Sequence, residues 1–497
     1  MLDLLSRKIF HLAPFTPGDL TDHQVGADDI LASDPTRTVL IGDAGGGMLD
    51  FSRGGNDSFA ATGPATYTFY GDAVGGVFDF AQGGDDSFTG ALSSTNTAYG
   101  DAGGDLSDHG KGGNDTFRGA GLSLNTFYGD AGGNMSGHAQ GGDDSFAGAA
   151  VSLNIFYGDA GGNLSGHARG GNDTFSGGGA QSSNIAYGDA GGDMSDFAKG
   201  GNDSFTGGQQ LSYGDAGGNM SGHAQGGDDT FMGAFLTPFA GKTVYGDAGG
   251  DMSDFAKGGN DSFTTLGSFS NIFYGDAGGN MSGHAQGGND TLTGSLAGGN
   301  TFYGDAGGTM SGDARGGDDV LVVLPGSPGF SFTNLAYGDA LTMSGRAVGG
   351  NDSLTGGSNT GIGSSTVINT LYGDAESLSG FARGGDDTLI AGTAAAGSTV
   401  VNDIWGDGQL SDGARGGKDL FVFRDDGAMT VGTQNTIEDF SQRQHDRIEF
   451  SGVAGVQSFA DLIITLVGND TIIAAGADQV TLHNFTNALT ANDFLFV

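Results

Sequence analysis

The chain has 497 residues, of which 102 are glycine and none is cysteine, and 59 acidic residues stand against 18 basic ones for a formal net charge of −41. The lack of cysteine excludes disulfides and thiolate metal sites, and the charge makes nucleic acid and anionic membranes poor partners. No stretch approaches the ~20 apolar residues of a membrane span, so no membrane insertion is expected.

Such a charge with few large apolar residues would ordinarily point to disorder, but glycines, aspartates and aromatics recur here at fixed spacing. The acids are nearly all aspartate, with glutamate at Glu376, Glu438 and Glu449 alone. A solvated acidic face tolerates glutamate equally well, whereas a tight loop around a hard cation favours the shorter carboxylate.

Residues 1–38 precede the repeat and hold Pro14, Pro17 and Pro35. They read as a cap over the first coil or as a contact segment, with Leu2 to Leu12 able to form a short amphipathic helix. The opening MLDLLSRKIFHLAPF is a poor Sec signal, because Asp3, Arg7 and Lys8 interrupt its apolar run.

Residues 39–421 repeat one unit thirteen times, best seen from Tyr128 to Phe146 as YGDAGGNMSGHAQGGDDSF. Its first half places an aspartate column at Asp43, Asp72, Asp101, Asp130, Asp159, Asp189, Asp215, Asp247, Asp276, Asp305, Asp339, Asp374 and Asp407. Its second half, Gly-Gly-x-Asp-x-apolar, places another at Asp57, Asp86, Asp115, Asp144, Asp173, Asp203, Asp229, Asp261, Asp290, Asp319, Asp352, Asp387 and Asp419. The period is 29 residues in half of the steps and drifts between 26 and 35. A fixed core with a variable connector marks stacked units whose loops leave from one face.

Each unit offers three short strands between glycine-rich turns. They are Asp144 to Phe146, Asn154 to Tyr157, and Met135 to Ala139. Alternation puts Met135 and Ala139 inside, together with the apolar column running from Phe59 through Phe146 to Phe421. Eleven of the twelve tyrosines form a third ladder that ends in Trp405. The expectation is an all-β fold, a parallel β-solenoid or β-roll of about 13 coils stacked at ~4.8 Å, closed by a β-rich C-terminal cap.

An outward column mixes Phe51, Phe80, His109, His138, His167, Phe197, His223, Phe255 and His284 with other residue types, and reads as an exposed stacking ladder. Where aspartate precedes it, as at Asp50, Asp108, Asp196, Asp254 and Asp412, a base usually follows three positions later (Arg53, Lys111, Lys199, Lys257, Arg415), which suggests local charge compensation. Residues 422–497 have ordinary aliphatic content and read as strands that close the solenoid.

Stacked carboxylates ~4.8 Å apart repel by about 0.9 kcal/mol per pair even in water, so one column costs roughly 10 kcal/mol before screening. The 18 bases cannot balance this. Divalent cations between coils can, and multiple Ca²⁺ ions fit best, because the turns offer carboxylate and glycine carbonyl oxygens with no cysteine and no regular histidine. An alternative role for the Asp43 to Asp407 column is to cap turns through backbone hydrogen bonds.

GGNDSF, GGDDSF and GGNDTF, with YGDAGG, resemble the haemolysin-type (RTX) calcium-binding repeat, Gly-Gly-x-Gly-x-Asp-x-apolar-x. The resemblance implies a parallel β-roll in which calcium lies between successive Gly-Asp turns. It matches Asp144 to the ligand aspartate, Gly142 to the central glycine and Phe146 to the inward apolar residue. Ala139 and Gln140 stand where that family has its first two glycines, and the period is about 29 instead of 18. DFSQRQHDRIEFSG, SFADLIITLVGNDTIIAAGADQVTLHNF and the terminal DFLFV resemble the C-terminal region of RTX proteins exported by the type I secretion apparatus. That resemblance implies a secreted protein that folds in extracellular calcium.

No HExxH, nucleophile elbow or other catalytic motif lies in the 38 residues before the array or the 76 after it, so no enzyme is expected. The expected function is an extracellular structural scaffold, such as a surface layer, filament or matrix component, assembled as a homo-oligomer or polymer. The alternative is a calcium-dependent adhesin or carbohydrate-binding module for a cell-surface polysaccharide.

Overall fold

The computed structural model describes residues 16–33, 35–179, 181–208, 210–233, 241–265, 270–295, 298–326, 330–361, 365–425 and 433–497. The chain forms two compact units. One comprises Met1–Thr237 with Asp247–Gly250, the other Pro238–Gly246 with Asp251–Val497. Each is built of parallel β-solenoid coils, about 14 turns in the whole chain.

In unit one a first sheet stacks three- and four-residue strands from Ile30–Ala32 through Ser145–Ala147 to Thr230–Gly233, with neighbours parallel and in register. A second sheet stacks Val39–Ile41, Thr66–Tyr70, Thr95–Tyr99, Leu124–Tyr128, Leu153–Tyr157, Ser183–Tyr187 and Leu211–Tyr213 in the same way. Unit two repeats both sheets, from Ser262–Thr265 to Leu420–Arg424 and from Lys242–Tyr245 to Thr399–Trp405. The strands are short because glycine-rich turns bound them, and period-two alternation gives each one a buried face.

The core follows from that alternation. Phe59, Phe88, Phe117, Phe146, Phe175 and Phe205 are buried and stack ring on ring at 4.6–4.9 Å. The second sheet contributes Phe69, Phe127 and Phe156, and also a column of fully buried asparagines. Asn96, Asn125 and Asn154 each donate an amide hydrogen bond to the asparagine of the next coil, Asn125, Asn154 and Asn184, at 2.8, 2.8 and 2.6 Å. Unit two has its own such ladder from Asn271 to Asn435.

Three features differ from expectation. Met135–Ala139 is not a strand. Met135 and Gln140 pair with neighbouring coils only as single bridges, because Gly137 at φ +69° reverses the chain between them. That turn, not strand alternation, brings both Met135 and Ala139 inside. In unit two the third sheet consists of Ala306–Met310, Ala340–Met343, Ala375–Leu378 and Gln409–Leu410, so its longer strands end at or near the methionine position.

The tyrosine ladder stacks at 4.7–5.1 Å where rings are adjacent, and it ends on Trp405, but Tyr128 and its neighbours are half-buried. Rings such as Tyr99, Tyr128, Tyr157 and Tyr274 each cover a glycine of the next coil. A Cβ on Gly161 would lie 2.5 Å from Tyr128 Cε1.

The solenoid also begins one coil before residue 39. Thr16, Leu20 and Val25 bridge to Ala44, Met48 and Arg53, and Ile30–Ala32 pairs with Ser58–Ala60. Residues 26–31, GADDIL, therefore occupy the place of GGNDSF. The helix expected over Leu2 to Leu12 lies outside the described residues.

At the C-terminal end, Arg447–Ser451 and Phe494–Phe496 extend the first sheet. Thr433–Ile437 extends the second. Leu462–Val467, Asp470–Ala475 and Asp478–Leu482 form an antiparallel meander joined to it.

Candidate functional site

Asp144 sits immediately before the first-sheet strand Ser145–Ala147, and Asp130 sits two residues after Tyr128, the end of the second-sheet strand Leu124–Tyr128. Each coil thus delivers one aspartate from either sheet to the glycine turns. All twenty-six predicted aspartates are buried, none more than 4% exposed.

In the second column one oxygen is engaged across the coil boundary. The backbone N–H groups of Asp86, Asp144 and Asp173 donate to Oδ1 of Asp115, Asp173 and Asp203, each at 2.6 Å. The other oxygen has no donor. Oδ2 of Asp57, Asp86, Asp115, Asp144, Asp173 and Asp203 in unit one, and of Asp319, Asp352, Asp387 and Asp419 in unit two, is buried without a hydrogen-bond partner.

What faces that oxygen is a carbonyl. A Cβ on Gly129 would lie 1.8 Å from Asp144 Oδ2 and 1.7 Å from the carbonyl oxygen of Gly158 on the next coil. Two acceptors thus converge on the space of one missing side chain. The same holds at Gly42, with Asp57 and Gly71, and at Gly338, with Asp352 and Gly373. The sequence offered glycine carbonyls of the turns as ligands without saying which, and the structure places the carbonyls of the glycines that precede the first-column aspartates, such as Gly71, Gly158 and Gly373, beside that oxygen.

The first column does two things. Its aspartates cap the Gly-Gly turn, as in the N–H groups of Gly171 and Gly201 donating to Asp159 and Asp189 at 2.9 Å. They also face each other across the coils. Beside Gly141, Asp159 Oδ1 and Asp130 Oδ2 would lie 1.6 and 2.7 Å from an added Cβ, and Oδ2 of Asp159, Asp189, Asp215, Asp305, Asp339 and Asp374 has no donor.

These surroundings oppose ionisation. Burial, and then the neighbouring aspartates, hold Asp115, Asp130, Asp203 and Asp352 well above the usual carboxylate range. Burial pushes Asp57 up to about 8 and Asp101, Asp189 and Asp339 up to about 6. The charge of Asp144 acts on Asp130, and that of Asp101 on Asp115, so the two columns form one electrostatic system within the unit.

A third ladder shows how this chain treats stacked acids that lie in solvent. The residue before each second-column aspartate reads Asp28, Asn56, Asp85, Asn114, Asp143, Asn172, and each Oδ1 accepts the backbone N–H of the next coil at 2.7–3.1 Å. Two acids never meet there. The buried columns place an acid in every coil.

Among the described residues no three histidine or carboxylate side chains converge on one point. The oxygen sets are instead carboxylate with glycine carbonyl, or carboxylate with carboxylate. Oxygens without donors, in a cradle closed to side chains and free of nitrogen and sulfur ligands, fit a hard divalent cation. The first column ends on a neutral substitute, because Gln444 Nε2 donates to Asp407 Oδ2 at 2.7 Å.

The outward ladder stacks as expected, with Phe80, His109, His138 and His167 at 4.2–5.0 Å. Asp50 with Arg53, Asp108 with Lys111, Asp196 with Lys199 and Asp412 with Arg415 do not form ion pairs; those among the described residues include Arg346–Asp313 and His483–Glu438. The preceding column is set by the backbone instead, since Asp50, Asp108 and Asp196 share positive φ with Gly137 and Gly166.

The fold and the two columns define a parallel β-solenoid repeat protein. No family model matches the chain, and neither a curated protein nor a solved structure matches it.

Proposed function

We propose that the chain is a secreted, non-catalytic calcium-binding repeat protein of the haemolysin (RTX) kind, acting as an extracellular self-assembling scaffold. The observation that carries this reading is the row of buried Oδ2 atoms, coil after coil, facing carbonyl oxygens with no donor between them. Leaving one such group unsatisfied costs about 1–3 kcal/mol, and more for a charged one. A column of them is sustained by a ligand.

Calcium between coils would supply positive charge to the carboxylates of both columns, including Asp130, Asp144 and Asp159, and to the glycine carbonyls beside them. Extracellular-type sites bind at roughly 10⁻⁴–10⁻³ M, so the chain would stay open inside the cell and fold outside. The tail's likeness to type I secretion signals supports that route. The repetitive make-up of the chain supports a structural role in a surface layer, filament or matrix.

The test is a calcium titration of the chelator-treated chain, followed by circular dichroism and light scattering. A cooperative gain of β structure with particle growth is expected. Full β structure in excess chelator at neutral pH would overturn the calcium reading.

A further inference from the structure

One exposed edge of unit one carries a charge pattern that the cation columns do not use. Arg53, Gln82, Lys111, Gln140 and Arg169 bridge in register from coil to coil. Three residues further along each coil stand Asn56, Asp85, Asn114, Asp143 and Asn172. Wherever the first position is basic the second is asparagine, and wherever the first is glutamine the second is aspartate. Over these five coils bases and acids therefore alternate, each with a two-coil period of roughly 10 Å, and the alternation ends where Arg169 bridges to Lys199.

Repulsion within a column favours alternation over these coils. It does not explain the phase between the two columns, which puts asparagine and never aspartate three residues after Arg53, Lys111 and Arg169. Nor are the charges consumed internally, because Arg53, Lys111 and Arg169 are exposed and none makes an ion pair. Beside them runs the ring stack, with Phe51 51% and Phe80 46% exposed.

A uniform polyanion, such as an acidic polysaccharide, would meet Asp85 and Asp143 between the bases. A surface with the same alternation meets no such conflict. A second copy lying face to face and parallel, offset by one coil, sets Arg53 against Asp85 of the second copy and Lys111 against Asp143 of the second copy. The reciprocal contacts set the second copy's Lys111 and Arg169 against Asp85 and Asp143. We propose that this edge of unit one is a lateral docking surface for a second copy of the chain in that staggered arrangement. It rests on the self-assembly reading and names the surface that carries it.

The test uses the full chain in calcium at low salt, in two variants, Arg53→Asp with Lys111→Asp and Asp85→Lys with Asp143→Lys. Sedimentation velocity should show wild type associating and each variant associating at least about tenfold more weakly, with an equimolar mixture recovering most of the loss. Circular dichroism on the same samples reports folding, so a missing calcium transition counts against the calcium reading alone. Variants that associate like wild type would overturn the edge while leaving a scaffold intact. A folded wild type that stays monomeric over a wide concentration range would overturn both. A monomer that binds a polyuronate chain through Arg53 and Lys111 would overturn the second copy in favour of a polyanion.

Discussion

The backbone N–H of Asp144 donates to Oδ1 of Asp173 on the next coil at 2.6 Å, while Oδ2 of Asp173 finds no donor. One oxygen of each such carboxylate therefore sets coil register, and the other is left facing a carbonyl. The first oxygen makes the column structural. The second makes it dependent on a positive charge, either an ion or a proton.

Replacing Asp144 by asparagine separates these roles. The amide keeps an oxygen for the N–H of Asp115, which reaches Asp144 Oδ1 at 2.5 Å, and turns an N–H toward the carbonyl of Gly158. In chelator, Asp144→Asn should be more stable than wild type by about 1–3 kcal/mol, the usual penalty for an unsatisfied buried group. In saturating calcium it should be less stable, because a ligand oxygen has become a donor. Urea melts in the two buffers check the reversal, and a loss in both would reduce Asp144 to a plain cap.

The pH dependence should also change sign with calcium. A carboxyl whose pKa is raised on folding stabilises the fold fully below its unfolded value near 3.8, and this contribution is lost as pH rises through the folded value. For Asp101, Asp189 and Asp339 that value is about 6, and for Asp57 about 8. In chelator, β structure should therefore grow as pH falls from 8 towards 4. In calcium the same acidification should raise the midpoint for the ion, because protons compete for its ligands. Dichroism at fixed pH steps in both buffers would show it, and a flat chelator profile would count against buried unpaired carboxyls.

Much of this was legible in the sequence, for identifiable reasons. Phe146 and its column announced the core because apolar residues recur at one phase of a glycine-bounded strand. Asp130 and Asp144 announced the site because none of the thirteen repeat units omits either. The coil at residues 16–33 was hidden because GADDIL keeps the phase of GGNDSF and loses its spelling. Asn154 was hidden for a different reason, since a polar residue three positions before the tyrosine suggests solvent until the next coil's amide is known to lie 2.6 Å away. The Gly137 turn was misread as strand because Met135 and Ala139, both apolar, mimic alternation around a residue at φ +69°.

Two glycines distinguish the cradle from the scaffold around it. Alanine at Gly129 would press a methyl group into Asp144 Oδ2 and the Gly158 carbonyl, whereas at Gly161 it would press against the ring of Tyr128. Overpacking costs about 1–3 kcal/mol in either place. Gly129→Ala should also abolish part of the calcium response, lowering the number of ions bound. Gly161→Ala should leave that number unchanged. Isothermal titration gives the stoichiometry, and equal losses in both variants would mean that Gly129 serves only backbone packing.

The asparagine ladder should behave as a structural element independent of the ion. Asn154 accepts from Asn125 Nδ2 at 2.8 Å and donates to Asn184 Oδ1 at 2.6 Å, fully buried. Asn154→Ala strands a donor on one side and an acceptor on the other, costing about 1–3 kcal/mol for each group left unsatisfied. Asn154→Asp keeps the acceptor but loses the donor and adds a buried charge, so it should be the worse variant at pH 7 and should recover as the pH falls. Neither should change the number of calcium ions bound, because Asn154 lies in the second-sheet strand and not in the glycine turns. Urea midpoints for both variants at saturating calcium decide the matter. An unchanged midpoint for Asn154→Ala would show that the stacked backbone alone holds the second sheet in register.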